Sequence, residues 1–163
     1  MAETTKFNAI DVGYPEKKAA AIADGLRTLL ASSFVLQIKT YACHWNVEGP
    51  NFGPLHALFK DQFEELADGI DEIAERIRAL GYRAPGSLAE FKLLSSVKDS
   101  TGQLNADTML KVLADDQATC VKDARAILTL VDSVDDLPTI DLLTKRCQAH
   151  EKAAWMLRAT MVK

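Results

Sequence analysis

Apolar side chains return in steps of three and four along most of the chain, and nowhere do they alternate in steps of two. The cleanest run is Phe59, Phe63, Leu66, Ile70, Ile73, Ile77 and Leu80, which lays one stripe along a helix. This pattern predicts a helix over 54–80. Pro54 opens it, Gly81 offers a left-handed cap, and Pro85 lies just beyond. Ahead of it, Ile22, Leu26, Leu29, Leu30 and Phe34 mark a helix over 15–47, with Pro15 and the acidic Glu16 in its first turn. The segment "EGPNFGP" breaks the periodicity between the two.

Residues 82–104 read as a long polar connection with one short helical candidate, "LAEFKLL". Asn105 suits the N-cap of a helix over 105–132, striped by Leu110, Leu113, Val121, Ala124, Leu128 and Val131. After the turn "DSVDDLP", the positions Ile140, Leu143, Cys147, His150, Ala154, Leu157 and Met161 predict a helix over 138–162. His150 falls on that apolar stripe and reads as a packed core histidine. Short connections make the first pair and the last pair antiparallel hairpins, joined by the long crossover. That is an all-α, ferritin-like four-helix bundle with a short helix in the crossover. A single domain is expected over 1–163, with an N-terminal extension over 1–14.

Composition narrows the function classes. At 48% hydrophobic, 26% charged and a net charge of −4, the chain is an ordinary globular one. A duplex-binding surface spread over the whole molecule is excluded, because neutralising phosphates needs clustered Lys and Arg. Cys43, Cys120 and Cys147 are odd in number and far apart, so a disulfide framework is not expected and a reducing cytoplasm fits. "MAETTKFNAIDVGYPEKK" lacks the apolar core of a signal peptide, and no uninterrupted eighteen-residue apolar run exists. The expectation is a soluble, cytoplasmic protein with no membrane partner.

The candidate chemistry lies in "CHWNVEGPNFGPLH", which places His44 and His56, two of the chain's three histidines, around a run of helix breakers. On the helix that His56 opens, Asp71 and Glu75 are four residues apart and reach one point. His56 and Asp71 are fifteen residues apart, roughly 22 Å along the axis at ~1.5 Å per residue. One ion cannot bridge that within a chain. No Glu-x-x-His pair exists to build an intrachain di-iron cage, since Tyr41, Gly53 and Cys147 stand three before the histidines. A second copy of the helix, antiparallel and crossing near residue 65, would bring Asp71 and Glu75 of one chain level with His56 of the other. Spacing also allows plainer readings: the histidines as helix-end groups, and Asp71 and Glu75 as a solvated face.

These residues resemble the Dps (DNA-protection-during-starvation) family of ferritin-like proteins. "HWNVEGPNFGPLH" followed by "DGIDEIAERIRALG" matches the family signature, and the likeness runs from about residue 20 to Trp155, including "EKAAW". The resemblance implies a hollow shell of twelve subunits that oxidises Fe²⁺, usually with hydrogen peroxide, and stores ferric mineral. It implies an iron site between two subunits, with His44 and His56 from one and Asp71 and Glu75 from its neighbour. Imidazole and carboxylate ligands with open positions suit Fe²⁺, and carboxylates hold Fe³⁺. Trp45 would lie close to that site, in either a packing or a redox role. Asp132, Asp135, Asp136 and Asp141 fall where family members line a three-fold pore, a candidate iron-entry path.

Two departures from the family pattern matter. Four residues after His56 the family has an aspartate that helps hold a second iron, and here Lys60 stands there. The chain also lacks a lysine-rich tail in the sequence given, so DNA binding is expected to be weak or absent. The competing reading is a DNA-condensing structural shell protein with an impaired metal site.

Overall fold

The computed structural model describes residues 13–100, 102 and 104–161. The expected N-terminal extension lies outside the described residues up to residue 12. Five α-helices follow in order: α1 (Glu16–Asn46), α2 (Phe52–Ala79), α3 (Leu88–Leu94), α4 (Ala106–Val131) and α5 (Leu137–Thr160). A single 3₁₀ turn, Asp132–Val134, lies between α4 and α5. No strand occurs among the described residues. α1 packs against α2, α3 and α4, and α4 packs most extensively against α5. The four long helices form the ferritin-like bundle, with α3 lying on α1 inside the crossover.

Local chemistry sets the helix ends. α2 starts at Phe52, two residues ahead of the sequence expectation. Pro54 is tolerated in its first turn because those amides have no intrahelical acceptor to lose. Its far end is a Schellman close: Gly81, at φ +88°, donates to the Arg78 carbonyl and Tyr82 to the Ile77 carbonyl. Ser87 caps α3 by accepting from the Glu90 amide at 3.3 Å, while the Glu90 carboxylate accepts from the Ser87 hydroxyl and the Gly86 amide, and the Asn105 side chain accepts from the Thr108 amide at 2.9 Å to cap α4.

α1 is long and apolar enough to cross a membrane by length and composition. Its apolar side chains instead supply the core, with Ile22, Ala23, Leu26, Leu29, Ala31 and Leu36 fully buried. The buried stripes of the other helices differ from the sequence expectation. On α2, Gln62 is buried while Phe63 is partly exposed. On α4 the buried run is Leu113, Gln117, Cys120, Ala124, Ile127 and Val131, so Val121 and Leu128 flank the core rather than fill it. On α5, Arg146 takes the position expected of Cys147. At Gln62 and Arg146 the cause is a polar residue in a stripe position, which a stripe read from apolar letters alone passes over for its neighbour. On α4, Ile127 and Leu128 are both apolar, and packing alone chooses Ile127. His150 is packed in the core as expected, 1% exposed.

Candidate metal centre

His44 lies in the last turn of α1, and His56 lies just past the first turn of α2. The turn between them is short because Val47 is extended and Gly49 takes φ +111°, a left-handed conformation that a β-carbon disfavours. The hairpin therefore brings the two imidazoles face to face, with centroids 3.6 Å apart and ring planes 24° from parallel. His44 Nδ1 lies 2.7 Å from the His56 carbonyl oxygen, and His56 Nδ1 lies 2.9 Å from the His44 carbonyl oxygen. A carbonyl can only accept, so each Nδ1 carries the proton. In the neutral ring this leaves the lone pair on Nε2, the tautomer a metal needs. The His44 carbonyl is available because the last turn of a helix leaves its carbonyls without intrahelical donors.

Aromatic side chains hold the pair from both sides. Phe63 meets His44 edge-on at 5.2 Å, and Phe52 lies 5.1 Å from His56. Tyr41 stacks on Phe63 at 4.1 Å and on Trp45 at 5.5 Å. Trp45 is 70% exposed, so in one chain it closes the aromatic row against solvent. Cys43 adjoins His44 but is buried, and burial pushes its thiol up to about 11. It is a core residue and not a thiolate.

Asp71 and Glu75 are both exposed on α2. They lie fifteen and nineteen residues past His56, roughly 22 and 28 Å along the axis. The structure does not bring them to the histidines of their own chain. Among the described residues no cluster of three or more His, Cys, Asp or Glu side chains lies close enough to hold a metal within one chain. Lys60 turns along the helix surface to pair with Glu64, Nζ to Oε1 3.4 Å, both side chains more than half exposed.

The four aspartates of the α4–α5 turn part company. Asp132 and Asp135 are exposed, Asp135 in a left-handed conformation at φ +52°. Asp141 is exposed and pairs with Lys145 at 2.8 Å. Asp136 corrects the sequence expectation, because it is fully buried and cannot line a pore. It caps α5 by accepting from the Thr139 amide and hydroxyl at 3.1 and 2.6 Å, and it also takes hydrogen bonds from Arg76 (2.7 Å) and Tyr14 (3.2 Å). Burial alone would raise its pKa, but the Thr139 and Arg76 hydrogen bonds outweigh it and hold the carboxyl below the usual 3.8. Arg76, next in sequence to Glu75, also donates from Nε to Thr139 Oγ1 at 2.7 Å. The turn that carries Glu75 is thus tied to the turn that carries Asp132 and Asp135. Glu75 and Asp141 line one open cleft of about 300 Å³ with Glu72, Arg76 and Lys145.

A ferritin-like domain family matches residues 23–163. The chain is 34% identical to the DNA protection during starvation protein of Brevibacillus brevis, over 82% of this chain and 90% of that protein. The chain belongs to the Dps family of ferritin-like proteins. It is also 35% identical to an uncharacterised low-temperature-induced protein of Nostoc sp., over 92% of this chain and 85% of that one. Among solved structures it superposes on the Dps protein of Vibrio cholerae O1, described as a member of a superfamily of ferritin-like diiron-carboxylate proteins. The TM-score is 0.89 and the identity 28%, covering 99% of this chain and 100% of that one. Membership in Dps supports iron-related stress protection as the general role.

Tyr41, Phe52 and Phe63 were not singled out in the sequence as site neighbours of this Dps chain. A helical-spacing signal was available for all three: Tyr41 lies three before His44, Phe52 four before His56 and Phe63 seven after it. The carbonyl partners of the imidazoles had no such signal, because main-chain oxygens carry no residue identity.

Proposed function

We propose that this chain is a cytoplasmic, iron-oxidising and iron-storing shell protein, assembled from twelve copies, with its oxidation site shared between two subunits. His44 and His56 of one subunit, with Asp71 and Glu75 of its neighbour, bind Fe²⁺. The observation that carries this reading is the stacked histidine pair. Both Nδ1 atoms are committed to carbonyls, so both Nε2 lone pairs serve a ligand outside the hairpin. The carboxylates that would complete the set stand exposed about 22 Å and more away on the same helix.

The chemistry suits the donors. Two Fe²⁺ ions each give one electron to hydrogen peroxide, the O–O bond breaks, two protons are taken up, and two waters form with two Fe³⁺. A paired transfer avoids the one-electron cleavage that releases hydroxyl radical. Lys60, in place of the family's aspartate, leaves the second iron with fewer ligands, so one iron is held firmly and the other transiently. Asp132, Asp135 and Asp141 raise the local cation concentration on the entry side. DNA binding is weak, since a net charge of −4 per chain offers few phosphate contacts.

Size-exclusion chromatography before and after anaerobic Fe²⁺ loading and peroxide addition tests the proposal. A large assembly that consumes peroxide and turns amber is expected. A large assembly inert to iron that retards DNA would support the competing DNA-condensing reading, and a monomer or dimer would defeat both.

A further inference from the structure

α2 packs broadly on α1 but only lightly on α5. The polar contacts between α2 and α5 fall at levels seven residues apart on both helices. At 62 and 153, the Gln62 amide nitrogen donates to the Ala153 carbonyl at 3.4 Å. At 69 and 146, the Arg146 guanidinium lies against Gly69 and donates from Nη2 to Glu65. At 76 and 139, Arg76 donates from Nε to Thr139 Oγ1 and from Nη2 to Asp136 Oδ1, both at 2.7 Å. The residue number rises by seven on α2 as it falls by seven on α5, so the two helices run antiparallel in one register.

The two arginines cross this seam in opposite directions. Arg146 comes from α5 and is 7% exposed. It has room only because residue 69 lacks a side chain, since a β-carbon there would overlap its Nη1. Glycine is the weakest helix former after proline, and a place in the middle of α2 needs such a reason. Arg76 reaches the other way, from α2 to the start of α5, and ends on the fully buried Asp136. A guanidinium is planar with donors at fixed angles, so its hydrogen bonds set rotation as well as distance. Polar side chains inside a helix seam select one register, where apolar ones alone tolerate several.

Asp71 and Glu75 lie between the two crossings, past Gly69 and before Arg76, and both are exposed. Two residues make about 200° of helix turn, so Asp71 points away from Gly69 and from the seam. Where such side chains aim follows from how the helix beneath them is rotated.

We propose that Arg146 and Arg76 are positioning residues for the metal centre, which together fix the register and rotation of the α2 stretch carrying Asp71 and Glu75. This role rests on the shared-site reading above, to which it adds the groups that aim the carboxylates.

Co²⁺ titration of the assembled protein, followed by visible absorption, reads the site without turnover, since Co²⁺ takes the same imidazole and carboxylate donors as Fe²⁺. Gly69→Ala displaces the Arg146 guanidinium, and Arg146→Met removes it without added bulk. Arg76→Lys keeps the charge beside Glu75 but loses the fork. Each variant is expected to bind Co²⁺ roughly tenfold or more weakly, the usual cost of losing a group that orients metal ligands. With Asp71→Ala and Glu75→Ala already present, the histidine pair alone holds the ion, and adding Arg146→Met should change nothing further. A merely structural role would weaken binding in both backgrounds alike, and that result would overturn the proposal. So would wild-type affinity in either arginine variant. If the protein lacking both carboxylates binds Co²⁺ as tightly as the wild type, the shared site itself is wrong, and the positioning role falls with it.

Discussion

His44 and His56 each donate from Nδ1 to the other's carbonyl oxygen, at 2.7 and 2.9 Å. This reciprocity makes the α1–α2 hairpin both a structural clasp and a preoriented pair of ligands. Rotation of either ring would break a hydrogen bond and disturb a stack 3.6 Å apart. Two imidazoles fixed this way place their Nε2 atoms with little entropy left to lose on binding metal.

If the neighbour supplies Asp71 and Glu75, defects in different ligands should complement each other. His56→Ala and Asp71→Ala proteins are each expected to lose iron oxidation by at least tenfold. After disassembly, mixing and reassembly, some two-fold sites regain His56 from one chain and Asp71 from the other. Stopped-flow Fe²⁺ oxidation on verified mixed assemblies checks this. No recovery would rule out the shared site.

Lys60 reaches Glu64 and not the histidine pair. Lys60→Asp should therefore add a ligand near His56 at little structural cost, since exposed pairs of this kind contribute at most about 1 kcal/mol. Anaerobic Fe²⁺ titration is expected to show one tight iron per site in the wild type and a second in the variant. Two equally tight irons in the wild type would contradict the role given to Lys60.

The entry path is best tested without Asp136, which is buried and caps α5. Replacing Asp132, Asp135 and Asp141 together by Asn should slow iron uptake severalfold at low salt. The difference should shrink near 0.15 M salt, where the Debye length is about 8 Å. Equal rates for variant and wild type at both ionic strengths would remove these residues from the path. Asp136→Asn should instead act on stability, because its carboxyl is held below 3.8 and its contribution is lost as pH falls through that depressed value.

His150 carries a pH signature of its own. Burial, with Arg146 adding to it, brings its pKa down from 6.5 to about 3. Below pH 6.5 the unfolded chain takes up a proton that the folded chain refuses, so stability falls as pH falls from 6.5 towards 3. Between pH 7 and pH 5 the loss from this group is roughly 2 kcal/mol per chain. Denaturant midpoints at the two pH values should show it, and His150→Phe should remove most of the difference. An identical difference in the variant would assign the loss to other groups.

Much of the bundle was legible in the sequence because helix formation depends on spacing. Steps of three and four locate α1, α2, α4 and α5, "LAEFKLL" is α3, and Gly81 and Asn105 cap where local sterics and hydrogen bonding require. His44 and His56 could be paired because seven of the eleven residues between them form a breaker run that folds back. Which residue of a stripe faces the core was decided only by tertiary packing. A buried Gln or Arg looks the same in sequence as an exposed one, so Gln62, Gln117 and Arg146 were passed over for their apolar neighbours. Asp136 differs from Asp135 only by direction. The backbone turns left-handed at Asp135 and points the next side chain inward, where Arg76 and Thr139, some sixty residues apart in the chain, meet it. The proton positions on the two imidazoles were likewise set by main-chain carbonyls, which are the same in every residue and acquire a role only from where the fold puts them.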